Sequence, residues 1–222
     1  MVLYRGVRKD LNCDYWAMKI NTLLIDIGEV LVHMDRGILI ERMQALTGFS
    51  EEEIERRLDS FNDIAAYEKG ELTTEQFYQR VSDLFEINIS LANFKEAWSD
   101  IFILSEDQPT LLSPRLFRQL RKLYKMVAIS NTNEMHFDYL LQVCSTVNDF
   151  DHYVLSYQIG CLKPDERIYH VALEKAACAS SEALLVDDRL ENIKGGERLG
   201  IRGALFVEEN QLRHELGRFG VL

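Results

Sequence analysis

Leu23-Leu24-Ile25-Asp26-Ile27-Gly28-Glu29-Val30-Leu31-Val32 is the stretch of sequence that decides the fold. The unbroken apolar run from Leu23 to Ile25 predicts a central strand that is buried on both faces of a parallel sheet. The carboxylate of Asp26 follows where this strand ends, and Gly28 allows the backbone to turn sharply behind it. Ligands of open α/β sheets bind at the carboxyl ends of the strands. The stretch therefore predicts a ligand site at Asp26.

A long helical segment follows this strand. Apolar residues recur at helical spacing as far as about residue 104, and Phe94, Trp98 and Phe102 indicate the last of four helices. Two helix-start signatures, Ser50 with Glu53 and Thr73 with Gln76, punctuate the segment. We therefore predict a small all-helical cap, residues 35–104, inserted after the first strand.

One short element of this segment, residues 65–72, lies between two of the predicted helices. Its Tyr67, Glu68 and Lys69 either reach a substrate or belong to a solvated loop. The solvated loop is the preferred interpretation.

Strands and helices alternate in the remainder of the chain. Apolar runs predict strands at 126–129, 153–155, 184–186 and 205–207, and helices are predicted after Ser113 and from Pro164, and over 134–144 and 190–199. This order predicts an α/β fold with a doubly wound parallel sheet, formed by residues 1–34 and 105–222. An edge strand is possible within residues 1–20, to which we assign no function.

The composition excludes several classes of partner. The net charge of −11 argues against nucleic acid and against an anionic membrane surface. No stretch approaches the ~18 apolar residues of a membrane span. The four cysteines Cys13, Cys144, Cys161 and Cys178 lack metal-binding spacing, and no secretory signal is recognisable. We therefore expect a cytoplasmic protein, monomeric or homodimeric.

Polar residues at the later strand ends extend the predicted site. Ser130 and Asp187 each follow an apolar strand, as Asp26 does, and Lys163 can reach the same sheet edge from a loop. Clustered carboxylates, including Asp188, need a cation, and oxygen ligands suit Mg²⁺. A carboxylate there can attack phosphorus, while a lysine and a hydroxyl stabilise the phosphoryl group. Helix caps and turns remain the alternative role for such residues.

Four short motifs follow one another along the chain: Asp26-x-Gly28-x-Val30, Ser130-Asn131, Gly160-x-x-Lys163-Pro164-Asp165, and Asp187-Asp188 with Asn192 and Gly195 behind it. In this order they resemble the four motifs of the haloacid dehalogenase (HAD) superfamily. The resemblance runs from about residue 20 to 208. The helical insert is similar to a cap of that superfamily. Within it, Tyr67-Glu68-Lys69-Gly70-Glu71 resembles the cap segment of small sugar-phosphate phosphatases, including α-D-glucose-1-phosphate phosphatases.

The resemblance implies a metal centre in a Rossmann-like HAD core. Asp26 would be both the nucleophile and a ligand of Mg²⁺, and Gly28 would offer its backbone carbonyl to the metal. Asp187 and Asp188 would anchor the metal directly or through water. The implied activity is that of a magnesium-dependent phosphatase, which hydrolyses a small phosphorylated metabolite, with sugar phosphates among the candidates, through an aspartyl-phosphate.

The same resemblance implies the residues that bind substrate. Ser130 and the backbone of Asn131 would bind the phosphoryl group, and Lys163 would hold the nucleophile and the phosphate together.

The sequence departs from the family at Gly28, where most of the phosphatases carry a second aspartate as general acid and base. Such help is typically worth ~10²–10⁴-fold in rate. Glu29, the next residue, either points into the site or is solvated. Two alternatives stay open: a metal-independent dehalogenase-like hydrolase, which the Asp187-Asp188 pair disfavours, and a catalytically weak binding or regulatory protein of the same fold.

Overall fold

The structure, a computed structural model, describes residues 19–104 and 110–222. The edge strand considered for residues 1–20 lies outside the described residues, apart from residues 19 and 20, which are not in a strand. The strands are β1 (Thr22–Ile25), β2 (His33–Met34), β3 (Phe102–Ile103), β4 (Lys125–Ser130), β5 (His152–Leu155), β6 (Ala183–Asp187) and β7 (Arg202–Leu205).

The helices divide into five that precede β3 and six that follow it. They are α1 (Arg36–Thr47), α2 (Glu51–Ser60), α3 (Asp63–Glu68), α4 (Thr74–Phe85), α5 (Leu91–Ser99), α6 (Pro114–Arg121), α7 (Glu134–Val143), α8 (Ser156–Ile159), α9 (Glu166–Ala176), α10 (Leu190–Glu197) and α11 (Glu209–Arg218). Within the two described ranges, none of these helices has the length and apolar character needed to cross a membrane.

Five parallel strands form the main sheet, in the order β5-β4-β1-β6-β7. The chain runs from β1 to β4 and β5 at one edge, then returns past β1 to β6 and β7 at the other. Ile25 at the end of β1 is in register with Ala128 and Val186 on the two neighbouring strands. The strand order therefore changes direction at β1, which is where ligands bind in open α/β sheets.

Helices cover both faces of the sheet, as the alternating side chains of β1 illustrate. Leu23 packs with side chains of α6, α7 and α11, whereas Leu24 packs with side chains of α9 and α10. Both leucines are completely buried, and burial of one such side chain contributes roughly 1.5–3 kcal/mol. The predicted doubly wound α/β fold is confirmed.

The helices α1 to α5 enclose an apolar cluster of their own, centred on Phe77. The ring of Phe77 stacks on Tyr67 at a centroid distance of 4.4 Å and meets Trp98 edge-on at 5.1 Å. Met135 of α7 also belongs to this cluster, so the helical segment is packed against the sheet domain. The domain limits at residues 34/35 and 104/105 stay a prediction, which the separate cluster supports.

The predicted helix starts are present, but their side chains differ in detail. Thr73 and Gln76 form a complete capping box at the start of α4. The Ser50 hydroxyl accepts a hydrogen bond from the amide of Glu53, whose own side chain instead bonds Arg56 and Arg57.

Several predicted elements are shifted in the structure. Phe102 belongs to β3, which pairs with β2 where the chain enters and leaves the helical segment, rather than to the last helix. The helix predicted from Pro164 begins at Glu166, because Asp165 caps it by accepting a hydrogen bond from the amide of Arg167. A helical period counted from apolar residues misses both features, because partners distant in sequence create the first and a polar cap creates the second.

The last strand is also displaced, because it covers 202–205 rather than 205–207. It begins with Arg202, which is buried and donates to the backbone carbonyl of Ser181. Gly203 follows, and a β-carbon there would come within 2.4 Å of Ile193, so α10 packs directly on this strand. Arginine and glycine are not typical of a buried strand, so a strand predicted from apolar residues alone begins after the true start at Arg202.

Candidate active site

Three neighbouring strands bring polar side chains to one edge of the sheet. Asp26 directly follows β1, Ser130 ends β4 and Asp187 ends β6. All three are buried, and Asp187 is completely so. The loop before α9 places Lys163 between the two aspartates, with its Nζ 2.8 Å from Oδ2 of Asp26 and 2.7 Å from Oδ2 of Asp187. The structure thus brings together the residues that the sequence placed at the strand ends.

The Lys163 ammonium uses all three of its donors inside the protein. Besides the two carboxylates, it donates to the backbone carbonyl of Ile129 at 2.9 Å. Burial alone would lower the pKa of Lys163, but the carboxylates of Asp26 and Asp187 raise it above its ordinary value. The lysine therefore stays charged and is held in one position.

The loop that carries Lys163 is fixed by Asn131. The Asn131 side chain donates from Nδ2 to the Lys163 carbonyl at 3.1 Å and accepts from the Lys163 amide at 2.7 Å. This pair of bonds joins the end of β4 to the start of the α9 loop. Asn131 and Ser130 both border the cavity described below. The expected binding of a phosphoryl group by the Ser130 side chain and the Asn131 backbone stays a prediction.

Asp187 is oriented by groups that follow it in sequence. Its Oδ1 accepts hydrogen bonds at 2.9 Å from the amide of Arg189 and from the side chain of Asn192. The Asn192 carbonyl in turn accepts from the hydroxyl of the buried Tyr169 at 2.8 Å. Gly195 lies against the same tyrosine, because a β-carbon at this glycine would come within 2.8 Å of the Tyr169 hydroxyl. The last motif thus fixes the Asp187 carboxylate from behind.

Three carboxylates converge at this point. One oxygen from each of Asp26, Asp187 and Asp188 lies within 4.8 Å of the others. Burial raises the pKa of Asp26 to about 7; Lys163 opposes this shift and Asp187 adds to it. Burial, and next the Asp187 carboxylate, also raise the pKa of Asp188.

This donor set fits a hard divalent cation. With one ammonium among three carboxylates, two negative charges remain unbalanced in a largely buried site, and a divalent ion would balance them. Carboxylate oxygens are the ligands that Mg²⁺ prefers. A cation at this point would also favour the charged forms of Asp26 and Asp188 and so lower their pKa values.

Gly28 and Glu29 form the turn that follows Asp26. A β-carbon at Gly28 would lie 2.9 Å from the terminal methyl of Met34, so this methionine occupies the space beside the glycine. Glu29 has a left-handed backbone (φ 54°), and its carboxylate accepts from the Met34 amide at 2.7 Å and contacts His33 Nδ1 at 2.9 Å. Both oxygens of Glu29 are therefore engaged within the turn, although this residue also borders the cavity.

A cavity of about 660 Å³ extends from Asp26 to the helices α1 to α5. Its far wall is mainly apolar, with contributions from Leu39, Leu58, Ile64 and Trp98. The sequence did not distinguish these residues from the rest of the helical core, because a cavity wall and a packed core show the same apolar periodicity. The volume is in the range of pockets that enclose small molecules.

Two residues of segment 65–72, Tyr67 and Glu68, border this cavity from the end of α3, which corrects the preferred solvated-loop interpretation for these two. Residues 69–72 form a turn in which Gly70 and Glu71 are exposed, and Lys69 does not border the cavity. Tyr67 is buried in the last turn of α3, and its hydroxyl pairs with Thr74 and accepts from the Met135 amide. Gly70 has φ +70°, and a β-carbon there would come within 2.1 Å of the Tyr157 carbonyl oxygen of α8. The glycine thus lets the helical segment touch the sheet domain, and Glu68 faces the cavity between these two anchors.

Comparison with known proteins agrees with this geometry. The family model of haloacid dehalogenase-like hydrolases matches residues 20–200. D-ribitol-5-phosphate phosphatase of Bacteroides thetaiotaomicron is 29% identical over 203 residues, which cover 86% of this chain and 93% of the relative. A phosphatase of Mycobacterium tuberculosis is 26% identical and covers 88% of this chain and 91% of the relative.

Solved structures that resemble this chain also include a HAD family enzyme. A HAD family enzyme from Bacteroides thetaiotaomicron, solved in complex with magnesium and inorganic phosphate, is 26% identical with a TM-score of 0.73, covering 85% of this chain and 95% of the other. The family match covers most of the described sheet and the residues at its strand ends. This chain belongs to the haloacid dehalogenase-like hydrolases.

Proposed function

We propose that this protein is a magnesium-dependent phosphatase that hydrolyses a small phosphorylated metabolite through an aspartyl-phosphate. The observation that carries the proposal is the buried arrangement of Asp26, Lys163 and Asp187 with Asp188 beside them. The phosphatase names of two relatives, and the magnesium and phosphate of a solved relative, support it.

In the proposed reaction, a carboxylate oxygen of Asp26 attacks phosphorus, the bond between phosphorus and the leaving-group oxygen breaks, and that oxygen takes a proton from water. Water then hydrolyses the aspartyl-phosphate, which releases inorganic phosphate and regenerates the carboxylate. Lys163 holds Asp26 in place and stabilises the phosphoryl charge, while Ser130 and the Asn131 backbone bind the phosphoryl oxygens. The ion pairs of Lys163 with Asp26 and Asp187 support the role of the lysine, and the position of Ser130 and Asn131 at the cavity supports theirs.

Mg²⁺ would be held by Asp26, Asp187, Asp188 and the Gly28 carbonyl, and when bound it supplies charge neutralisation at the phosphoryl group. Phosphoryl transfer is preferred over dehalogenation, because the Asp187-Asp188 pair has no role in a reaction without a metal. A purely binding role is the remaining alternative, and the absence of an acid side chain at Gly28 is what favours it.

The proposed setting follows from composition. We propose a cytoplasmic protein without nucleic-acid or membrane partners, and the net charge of −11 supports this. Cys144, Cys161 and Cys178 are free thiols, which agrees with a reducing compartment. The oligomeric state, monomer or homodimer, stays a prediction.

Hydrolysis of p-nitrophenyl phosphate with and without Mg²⁺ tests the function. Its leaving group needs little acid help, so wild-type protein should release p-nitrophenol only when the metal is present. The Asp26→Asn variant is the matched control, because the amide keeps the shape of the side chain but is a poor nucleophile. A folded Asp26→Asn protein with near-wild-type turnover would exclude the covalent mechanism, and inactivity of the wild type with Mg²⁺ would favour a binding role.

A further inference from the structure

The turn that carries Gly28 is closed by hydrogen bonds of its own backbone. The amide of Glu29 donates to the Val32 carbonyl at 2.8 Å, and the Ile27 carbonyl accepts from the Val32 amide at 3.0 Å. The carbonyl of Gly28 is one of the proposed ligands of Mg²⁺. The shape of this turn therefore sets the position of a proposed metal ligand.

Glu29 occupies the turn in a backbone conformation that is unfavourable for a glutamate. Its φ is 54°, in the left-handed region, where a β-carbon crowds the backbone. The two other non-glycine residues with positive φ in the described ranges, Glu86 and Ala177, each end a helix, which is a common place for this conformation. Glu29 follows no helix, so contacts elsewhere must hold it.

The Glu29 side chain supplies these contacts. Its Oε1 accepts a hydrogen bond from the Met34 amide at 2.7 Å, and its Oε2 lies 2.9 Å from Nδ1 of His33. His33 and Met34 form β2, which pairs with β3 at the connection to the helical segment. Hydrogen bonds to an ionised carboxylate are stronger than those between neutral groups. The carboxylate thus ties the turn after Asp26 to β2.

This tether holds a second group beside the glycine. A β-carbon at Gly28 would lie 2.9 Å from the terminal methyl of Met34, the residue whose amide Glu29 binds. Glu29 is also close to the acidic cluster. Burial and then Asp187 raise the pKa of Asp188, and the Glu29 carboxylate adds to that shift.

We propose that Glu29 is a positioning residue for the metal site, because its carboxylate ties the turn after Asp26 to β2 and thereby fixes Gly28 for binding Mg²⁺. The inference rests on the proposed function, which supplies the metal role of Gly28. It gives Glu29 no contact with substrate and no part in proton transfer. Removing a group that orients a metal ligand typically costs about 10–100-fold in metal affinity or activity.

Three substitutions separate the tether from the charge and from the backbone conformation. Glu29→Gln removes the charge but keeps an acceptor for the Met34 amide and a donor for His33. Glu29→Ala removes both contacts and leaves a β-carbon at the left-handed φ. Glu29→Gly also removes both contacts but adopts this φ without strain, so it keeps the test decisive if Glu29→Ala does not fold.

The affinity for Mg²⁺ is measured without turnover, from the rise in Tm as the metal is added at pH 8. The metal dependence of p-nitrophenyl phosphate hydrolysis gives a second value. Glu86→Ala is the matched control, because Glu86 also has a left-handed backbone (φ 56°) and its carboxylate faces Arg57 at 3.8 Å in the helical segment. It should lower Tm in EDTA without changing the Kd for Mg²⁺.

Glu29→Ala should raise the Kd for Mg²⁺ by about tenfold or more, and Glu29→Gly by more than about fivefold. Glu29→Gln should raise it by less than about threefold, because an exposed charge contributes little. At saturating Mg²⁺ the KM for p-nitrophenyl phosphate should change by less than about twofold in all three, because Glu29 does not touch the substrate.

Four results would overturn the inference. An unchanged Kd in Glu29→Ala would show that the tether is not needed. Equal losses in Glu29→Gln and Glu29→Ala would assign the effect to charge, and wild-type affinity in Glu29→Gly would assign it to the backbone alone. An equal shift in Glu86→Ala would indicate a general loss of stability.

Failure of the proposed function gives a different result. A wild type that Mg²⁺ stabilises but that cleaves no p-nitrophenyl phosphate would contradict the phosphatase function, and the Tm titrations of the variants would still decide the role of Glu29. A wild type whose Tm does not respond to Mg²⁺ would overturn the inference itself.

Discussion

Replacing Lys163 by methionine should destabilise the protein in a way that depends on magnesium. Methionine has a similar length and leaves little void, so the change removes mainly the ammonium. Asp26 and Asp187, whose Oδ2 atoms lie 2.8 and 2.7 Å from Nζ, would then face each other without a cation, and the Ile129 carbonyl would lose a donor. Loss of one partner from a buried ion pair typically costs about 3–5 kcal/mol. We expect a loss of that size in the free energy of unfolding without metal.

Magnesium should reduce this loss. In the wild type, two negative charges of the cluster remain unbalanced without metal, and a divalent cation balances both. In Lys163→Met the metal-free site holds three carboxylates and no cation, so metal binding relieves more repulsion. Ligand binding to the folded state stabilises it by mass action, about 2.7 kcal/mol at a hundred times Kd. The variant should therefore gain at least about 1 kcal/mol more from saturating Mg²⁺ than the wild type.

Urea unfolding at pH 8, followed by tryptophan fluorescence in EDTA and in Mg²⁺, measures both quantities. Lys175→Met is the matched control, because this exposed lysine also donates to a backbone carbonyl, that of Tyr153 at 2.6 Å. Its effect should stay within about 0.5 kcal/mol in both conditions. A loss below about 1 kcal/mol for Lys163→Met in EDTA, or an equal loss with and without Mg²⁺, would refute the charge balance described for the site.

Four further predictions address the metal, the missing acid, the cap contact and pH. Asp188→Ala should weaken apparent Mg²⁺ affinity more than substrate affinity at saturating metal, and an unchanged metal titration of activity would remove its metal role. Aryl phosphates should have a much higher kcat/KM than alkyl phosphates of similar size, because Gly28 supplies no acid. Glu29→Gln should leave the ratio of the two kcat/KM values unchanged, because the Glu29 carboxylate is engaged within the turn. A loss of kcat/KM on the alkyl esters alone would identify Glu29 as the acid. Gly70→Ala should lower the free energy of unfolding in urea by more than about 1 kcal/mol, because Gly70 has a left-handed backbone and a β-carbon there would collide with Tyr157. Gly48 also has a left-handed backbone but open space around it, so Gly48→Ala should lower the free energy of unfolding by less. Burial lowers the pKa of His136 from 6.5 to about 4, so between these pH values the unfolded chain binds a proton that the folded protein does not. The free energy of unfolding of the wild type, relative to that of His136→Gln, should therefore fall by up to about 3 kcal/mol from pH 7 to pH 4. A difference between the two proteins that does not change with pH would contradict the lowered pKa.

The polar residues at the sheet edge were predictable because their positions follow from local sequence. A buried strand reads as an apolar run, and parallel strands deliver the residues at their ends to one edge. Asp26, Ser130 and Asp187 could be placed together for this reason, and their buried cluster with Lys163 agrees with that placement. Their roles in catalysis stay predictions until the variants are measured.

Partners distant in sequence were not predictable to the same degree. Phe102 has the spacing of a helix but pairs as β3 with Met34, which is far away along the chain. The strand at Arg202 was displaced because its burial depends on the Ser181 carbonyl and on the packing of α10 against it. In both cases a contact made only in the folded chain overrides the local pattern.

The sequence by itself determined the doubly wound sheet, the helical segment after the first strand and the placement of carboxylates, a hydroxyl and a lysine at one sheet edge. Only the tertiary structure decided that Glu29 is turned back onto its own loop, that Gly70 seats the helical segment against Tyr157, and that Glu68 faces the cavity instead of solvent. The physical reason is that strand burial and alternation are properties of neighbouring residues, whereas the direction of a polar side chain depends on which distant groups satisfy its hydrogen bonds.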